Sequence, residues 1–131
     1  MIYKGKENWE TAQHLKQGDT CIVVGFGQSM TPILKSGQPV KCEPVTKDTA
    51  LRKNDIMLCK VKGHFYLHKI SAIRNSVSYQ ISNNHGHVNG WISRNGIYGR
   101  VTVRFSIKEF ICLKSWQYCM TRYCFACVAS L

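Results

Sequence analysis

Apolar and polar positions change period several times along this chain, and short alternating runs outnumber helical ones. Residues 7–17 (Glu7-Asn8-Trp9-Glu10-Thr11-Ala12-Gln13-His14-Leu15-Lys16-Gln17) predict one short helix with Trp9, Ala12 and Leu15 inward, broken at Gly18-Asp19. The apolar run Cys21-Ile22-Val23-Val24 predicts a strand, followed at once by a turn at Gly27-Gln28-Ser29-Met30-Thr31-Pro32. Residues 33–38 read as a turn-bearing connection, and 39–45 alternate as a half-buried strand does. Lys47-Asp48-Thr49 is a polar loop, and 51–55 a tight turn in which Asn54 tolerates the left-handed conformation. Residues 56–61 and 65–70 predict two strands joined through Lys62-Gly63-His64, a compact hairpin. Tyr79-Gln80-Ile81-Ser82 is a further strand, 83–90 a turn-rich loop, and 97–103 the closing strand.

Many short strands with little helix predict a mainly β fold, antiparallel and partly closed. No internal repeat interrupts the series. Residues 110–131 differ in texture, being rich in aromatics and cysteine, free of acidic residues, and interrupted by Lys114 and Arg122. They read as a docked strand or helix, or as an appendage. The expected organisation is a β domain over 1–109 and a Cys- and aromatic-rich tail over 110–131.

Length and composition agree with one globular domain. A chain of 131 residues that is 44% hydrophobic and 19% charged can bury a core without staples. Its 18 Lys and Arg against 7 Asp and Glu give a formal charge of +11, and the pI is near 9.5. Such a surface attracts nucleic acid, anionic membranes or acidic proteins at long range without choosing among them. The cations are scattered, which reads as a solvated basic face. Seven cysteines are present. Cys21, Cys42 and Cys59 sit inside apolar runs, as small core residues do. The polar stretch at 1–7 has no apolar signal region, and no apolar run approaches the roughly 18 residues of a membrane span. A soluble protein of the reducing cytoplasm is the expectation.

Chemistry concentrates at the turn after the first strand. Ser29 there lies at the end of a rigid element, between Gly27 and Pro32, where a side chain can project into a cleft. Further along, the segments that follow this turn resemble, in order, those of the signal peptidase and LexA-like serine peptidase superfamily over residues 20–103. Gly27-Gln28-Ser29-Met30-Thr31-Pro32 is similar to the family's Ser-Met-x-Pro nucleophile box. Gly37-Gln38-Pro39-Val40 with Pro44 resembles the next strand. Asn54-Asp55-Ile56-Met57 resembles its Gly-Asp-Ile/Val segment, with Asn for Gly. Tyr66-Leu67-His68-Lys69-Ile70 falls where the family carries its base, and Ile97-Tyr98-Gly99-Arg100-Val101 resembles the closing strand.

The resemblance implies a coiled β fold with the serine box and the base strand meeting across a substrate groove. It implies Ser29 as nucleophile and His68 as general base, since His followed by a basic residue is the archaeal and endoplasmic-reticulum pattern. Lys69 is the second candidate base; neighbouring strand residues face opposite ways, so one of the two meets Ser29. Backbone N–H groups of the turn at Gln28 and Met30 are the candidate oxyanion donors. An extended peptide or protein substrate would add as a strand along the groove edge. The His-type relatives orient the base with an Asp; the similar stretch here is Ser82-Asn83-Asn84, and no Asp follows Asp55. Asn83 is therefore the candidate support, in a Ser-His dyad without an acidic third member. The alternative is an inactive relative that binds a protein or nucleic acid. With 28 residues before Ser29, and only the seven-residue run at 20–26 to serve as an anchor, a stand-alone domain of the kind phages and mobile elements carry is expected.

Three other constellations carry candidate chemistry. His85-Gly86-His87 with His64 or His68 offers imidazoles but no nearby carboxylate or Cys, so a polar loop is expected. Cys124 and Cys127, with Cys112 and Cys119, lack the paired knuckles of a zinc site, and neither metal nor other cofactor is expected. Arg94, Tyr98, Arg100, Arg104 and Phe105 mix cations with aromatics and form a candidate nucleic-acid surface. The pattern leaves the oligomeric state open.

Overall fold

The computed structural model describes residues 8–106, Lys108 and, as backbone alone, 123–130. Helix α1 (Asn8–Lys16) ends at Gly18, where the chain turns into β1 (Thr20–Phe26). The strands that follow are β2 (Pro39–Pro44), β3 (Ile56–Val61), β4 (His64–Arg74), β5 (Ser78–Ser82), β6 (Val88–Ser93), β7 (Ile97–Arg104) and β8 (Tyr123–Ser130). The protein is mainly β, as its alternating runs predict.

All eight strands belong to one sheet in the order β3-β7-β2-β1-β8-β4-β5-β6. Every pairing among β1 to β7 is antiparallel. Strand β8 departs from that rule, running parallel to β1 and meeting β4 at the single pair Tyr66–Ser130. Strand β3 pairs with both β7 and β4, so the sheet curls back on itself. The β3–β4 hairpin turns on Lys62 and Gly63, with φ of +50° and +83°, the left-handed pair that a two-residue hairpin loop demands. Asn54 takes the left-handed conformation foreseen for it, with φ +76°.

The curl creates two buried clusters. One gathers Leu15, Cys21, Val23, Met30, Leu34, Val40, Cys42, Leu58 and Leu67; the other joins Met57, Cys59, Val61, Ile70, Tyr79, Ile81 and Ile97. Strand β3 supplies both, because alternate residues face opposite sides and both sides are covered. The thiols of Cys42 and Cys59 are fully buried, and burial pushes each up to about 12. They pack as small apolar groups and carry no thiolate near neutrality.

Helix α1 buries Thr11, Ala12 and Leu15, while Trp9 is 48% exposed. The expectation of an inward Trp9 is thus wrong: the buried stripe runs through 11, 12 and 15, and the helical step carries Trp9 off its side. Leu15 seats on β7 at Gly99, where an added Cβ would lie 2.9 Å from its Cδ1 and 3.3 Å from Cys42 Cβ. Glycine there lets helix and sheet approach. Two further differences concern strands: β4 continues through 71–74, and the stretch read as loop through residue 90 enters β6 at Val88. No helix among the described residues is long and apolar enough to cross a membrane.

Candidate active site

The turn after β1 is fixed from beneath. Met30 and Leu34 are fully buried, and the Leu34 N–H donates to Met30 O at 2.9 Å. Thr31 closes the turn on Gln28, its N–H and its hydroxyl both donating to Gln28 O, at 3.2 and 2.8 Å. With Met30 held in the core, Ser29 faces the other way, toward β4. Gln28 lends its carbonyl to the turn and Met30 its side chain to the core.

On β4 the side chain that meets Ser29 is His68. Ser29 Oγ lies 3.0 Å from His68 Nε2, and His68 Nδ1 lies 2.7 Å from Asn89 Oδ1. An amide oxygen only accepts, so Nδ1 carries the hydrogen and Nε2 offers its lone pair to the Ser29 hydroxyl. That tautomer is the one a general base needs. The imidazole is 3% exposed and stacks on Tyr66, two residues earlier on the same face of β4.

The loop between β5 and β6 clamps the serine turn from outside. Asn84 donates its N–H to Ser29 O at 2.8 Å and its amide Nδ2 to Thr31 O at 2.9 Å. His85 donates Nε2–H to Gln28 O at 2.9 Å, and that nitrogen also lies 3.1 Å from Thr31 Oγ1. Lys69 points to the face of β4 opposite His68, and its Nζ donates to Asn84 Oδ1 at 3.1 Å. It braces the clamp, and the residue beside the Ser29 hydroxyl is His68.

Asn83, expected to support the base, does not meet it. Its Oδ1 accepts the N–H groups of His85 and His87 at 2.8 and 2.9 Å, and its own N–H donates to His87 O. The side chain is spent on closing its own loop. Support comes instead from Asn89, through a β-bulge. Ser82 pairs with Val88 and Ile81 with Gly90, leaving Asn89 as the extra residue on β6. An inserted residue re-aims its side chain, and here the amide turns onto His68. Reading 83–90 as one loop hid this; the signal that was available is Trp91-Ile92 immediately beyond, which marks a strand start nearby.

The electrostatics favour a neutral base. Burial, the largest influence, pushes the His68 pKa below its ordinary value; the Asn89 hydrogen bond acts upward, and the charge of His87 adds a smaller downward push. The arrangement can deprotonate a serine hydroxyl near neutrality. Among the described residues no carboxylate meets His68 to stabilise the imidazolium that would result.

The remaining sequence candidates lie elsewhere. Arg94 donates to Thr46 O, Thr49 O and the Tyr79 hydroxyl; Arg100 donates to Ala50 O and Arg104 to Ile33 O. All three guanidinium groups tie loops down. Phe105 donates its N–H to Pro39 O, and Tyr98 lies under Lys16. Among the described residues no three His, Cys, Asp or Glu side chains converge as metal ligands. Cys112 and Cys119 lie outside the described residues, and Cys124 and Cys127 fall in β8, described as backbone. Compared with known proteins, the chain matches no family model and no curated sequence.

Proposed function

We propose that this protein is a serine endopeptidase-like protein of the signal peptidase and LexA-like kind, acting on an extended peptide segment. Ser29 is the nucleophile, His68 the general base, and Asn89 the group that holds the imidazole. The observation that carries this reading is the continuous line Asn89 Oδ1, His68 Nδ1, His68 Nε2, Ser29 Oγ, with separations of 2.7 and 3.0 Å at its two hydrogen bonds. A serine paired to a neutral, oriented imidazole is the arrangement that activates a hydroxyl. After attack on a peptide carbonyl, the peptide N–H groups of the turn at Gln28 and Met30 are the candidate oxyanion donors, each worth about 10²–10³ in rate when aligned. The test is hydrolysis of extended peptides and labelling by a serine-directed phosphonate. Wild type should be labelled at Ser29 and turn over slowly, and Ser29→Ala and His68→Ala should lose both while keeping their fold. Equal inertness of wild type and Ser29→Ala would overturn the reading.

A second reading is a silent relative that binds a protein or nucleic acid. One observation favours it: Lys16 lies 5.1 Å over Tyr98, Lys60 lies 5.2 Å over Phe65, and the two rings are 5.7 Å apart. With a chain charge of +11, this basic and aromatic group suits an anionic partner. Binding that survives Ser29→Ala and falls steeply with salt would mark that function.

A further inference from the structure

The residue that holds His68 is followed by glycine, and Asn-Gly is the dipeptide in which an asparagine side chain is most open to attack by the next backbone nitrogen. Glycine at 90 is demanded by the fold. Its φ is +150°, and a Cβ there would lie 3.2 Å from Val61 Cγ1 and 3.6 Å from Lys62 Cε. Asn89 is the bulged residue of β6, where the ladder to β5 is interrupted, and β6 is the last strand of the sheet. Its Oδ1 accepts from His68 Nδ1, which draws electron density away from Cγ. A bulged residue on an end strand opens at low free energy, and opening allows the Gly90 nitrogen to reach Cγ.

We propose that Asn89-Gly90 is a self-modification site at which spontaneous deamidation converts Asn89 to aspartate, replacing the amide that holds His68 with a carboxylate. The atoms balance with water as the only co-reactant. The Gly90 nitrogen attacks Asn89 Cγ and gives up its proton; the Cγ–Nδ2 bond breaks and Nδ2 leaves with that proton as ammonia. Water then adds to Cγ of the cyclic imide, the bond from Cγ to the Gly90 nitrogen breaks, and that nitrogen regains a proton. The net change is amide plus water to acid plus ammonia. Addition of water at the main-chain carbonyl instead gives isoaspartate, which lengthens the backbone and does not serve.

The consequence follows from the groups that face the imidazole: Ser29 from the turn, Tyr66 along β4, His87 from the β5–β6 loop and position 89 from β6. None is anionic. An aspartate at 89 places a negative charge where the amide oxygen now lies, and an adjacent opposite charge favours the protonated imidazole. The gain in turnover rests on the peptidase reading above; the modification itself does not. Losing such a carboxylate from a triad has cost about 10⁴ in turnover, which bounds what installing one could return.

The test ages the folded protein in mildly alkaline buffer and maps its peptides by mass, with Asn95-Gly96, an exposed site in the turn after β6, as an internal reference. The expected result is acid with normal linkage at 89, together with an upward shift of the His68 titration, followed by NMR, of about one pKa unit or more. Asn89→Asp should show that shift without ageing, and Asn89→Gln should show neither change. The proposal is overturned if residue 89 stays an amide in the folded protein while the denatured chain converts, if only isoaspartate forms, or if a normal aspartate forms and His68 titrates as before. Aged protein that shows both changes yet hydrolyses nothing supports the modification and counts against the peptidase.

Discussion

The rings of Tyr66 and His68 stack along β4 with centroids 4.8 Å apart and planes inclined by 26°. The contact fixes the plane of the imidazole, and it places an aromatic face against the charge that the proposed transfer of the Ser29 proton would put on His68. A cation over such a face gains about 0.5–2 kcal/mol. Among the described residues no carboxylate meets His68, and this contact and the Asn89 oxygen favour the imidazolium. Tyr66→Leu should therefore lower the His68 pKa, by at most about 1.5, read from its NMR titration, while Tyr66→Phe should leave it nearly unchanged. A titration indifferent to both substitutions would reduce Tyr66 to packing.

The depressed His68 pKa sets the pH dependence. In the proposed mechanism activity needs the neutral imidazole, so kcat/KM should rise with pH along a limb whose midpoint lies below the ordinary value of roughly 6.5. Stability runs in the same sense. As pH falls through that ordinary value, the unfolded chain binds a proton that the folded chain still resists, so stability drops until the folded pKa is passed. His87→Ala removes a like charge and should move the limb upward. A midpoint above the ordinary value would contradict the burial of the base.

Asn84 joins three parts of the site, with its N–H on Ser29 O, its Nδ2 on Thr31 O and its Oδ1 under Lys69. Asn84→Ala keeps the first link and cuts the other two. Each lost hydrogen bond costs about 0.5–1.5 kcal/mol, so if Ser29 acts as proposed, kcat should fall about tenfold or somewhat more as the serine turn loosens. KM should change less, because the loop acts through the turn. Lys69→Met should give the smaller effect, since it leaves the bond to Thr31 intact. An equal loss in both variants would make Lys69 more than a brace.

What was legible in the sequence was whatever depended on period and punctuation. The Ser29 turn follows an apolar run and ends in proline, and His68 lies in the strand that follows the Lys62-Gly63 hairpin, so both elements could be read. The choice of His68 over Lys69 as the base rests on the family resemblance, because period alone says only that the two point to opposite faces. Asn89 could not be read, because a bulge breaks the period of two that such reading relies on. Asn83 and Asn89 are the same residue type six positions apart; what separates them is that one side chain binds its own loop while the other swings across to β4. Trp9 misled for a related reason. Its hydrophobicity suggested burial, whereas the position of the stripe is set by the surface the helix meets, which at Leu15 is Gly99 of β7. The tie of Arg94 to the loop at 46–49 likewise spans distant parts of the chain and leaves no local mark.

The seat of α1 on β7 gives a prediction that does not involve the chemistry at all. Gly99 has no left-handed φ, so alanine is acceptable to its backbone, and the objection is purely one of space. A Cβ would stand 2.9 and 3.0 Å from the two methyl carbons of Leu15, closer than carbon atoms pack, with Cys42 Cβ 3.3 Å away on another side. Gly99→Ala should therefore destabilise by about 1–3 kcal/mol, as overpacking does. Leu15→Ala, which empties a buried site, should cost about 2–5 kcal/mol. The two faults relieve each other, because the alanine methyl occupies space the leucine has vacated. In urea titrations the double variant should be more stable than the sum of the singles predicts, by about 0.5–3 kcal/mol of coupling. Strict additivity would mean that α1 does not rest on Gly99, and the account of how this helix closes over the core would have to be withdrawn.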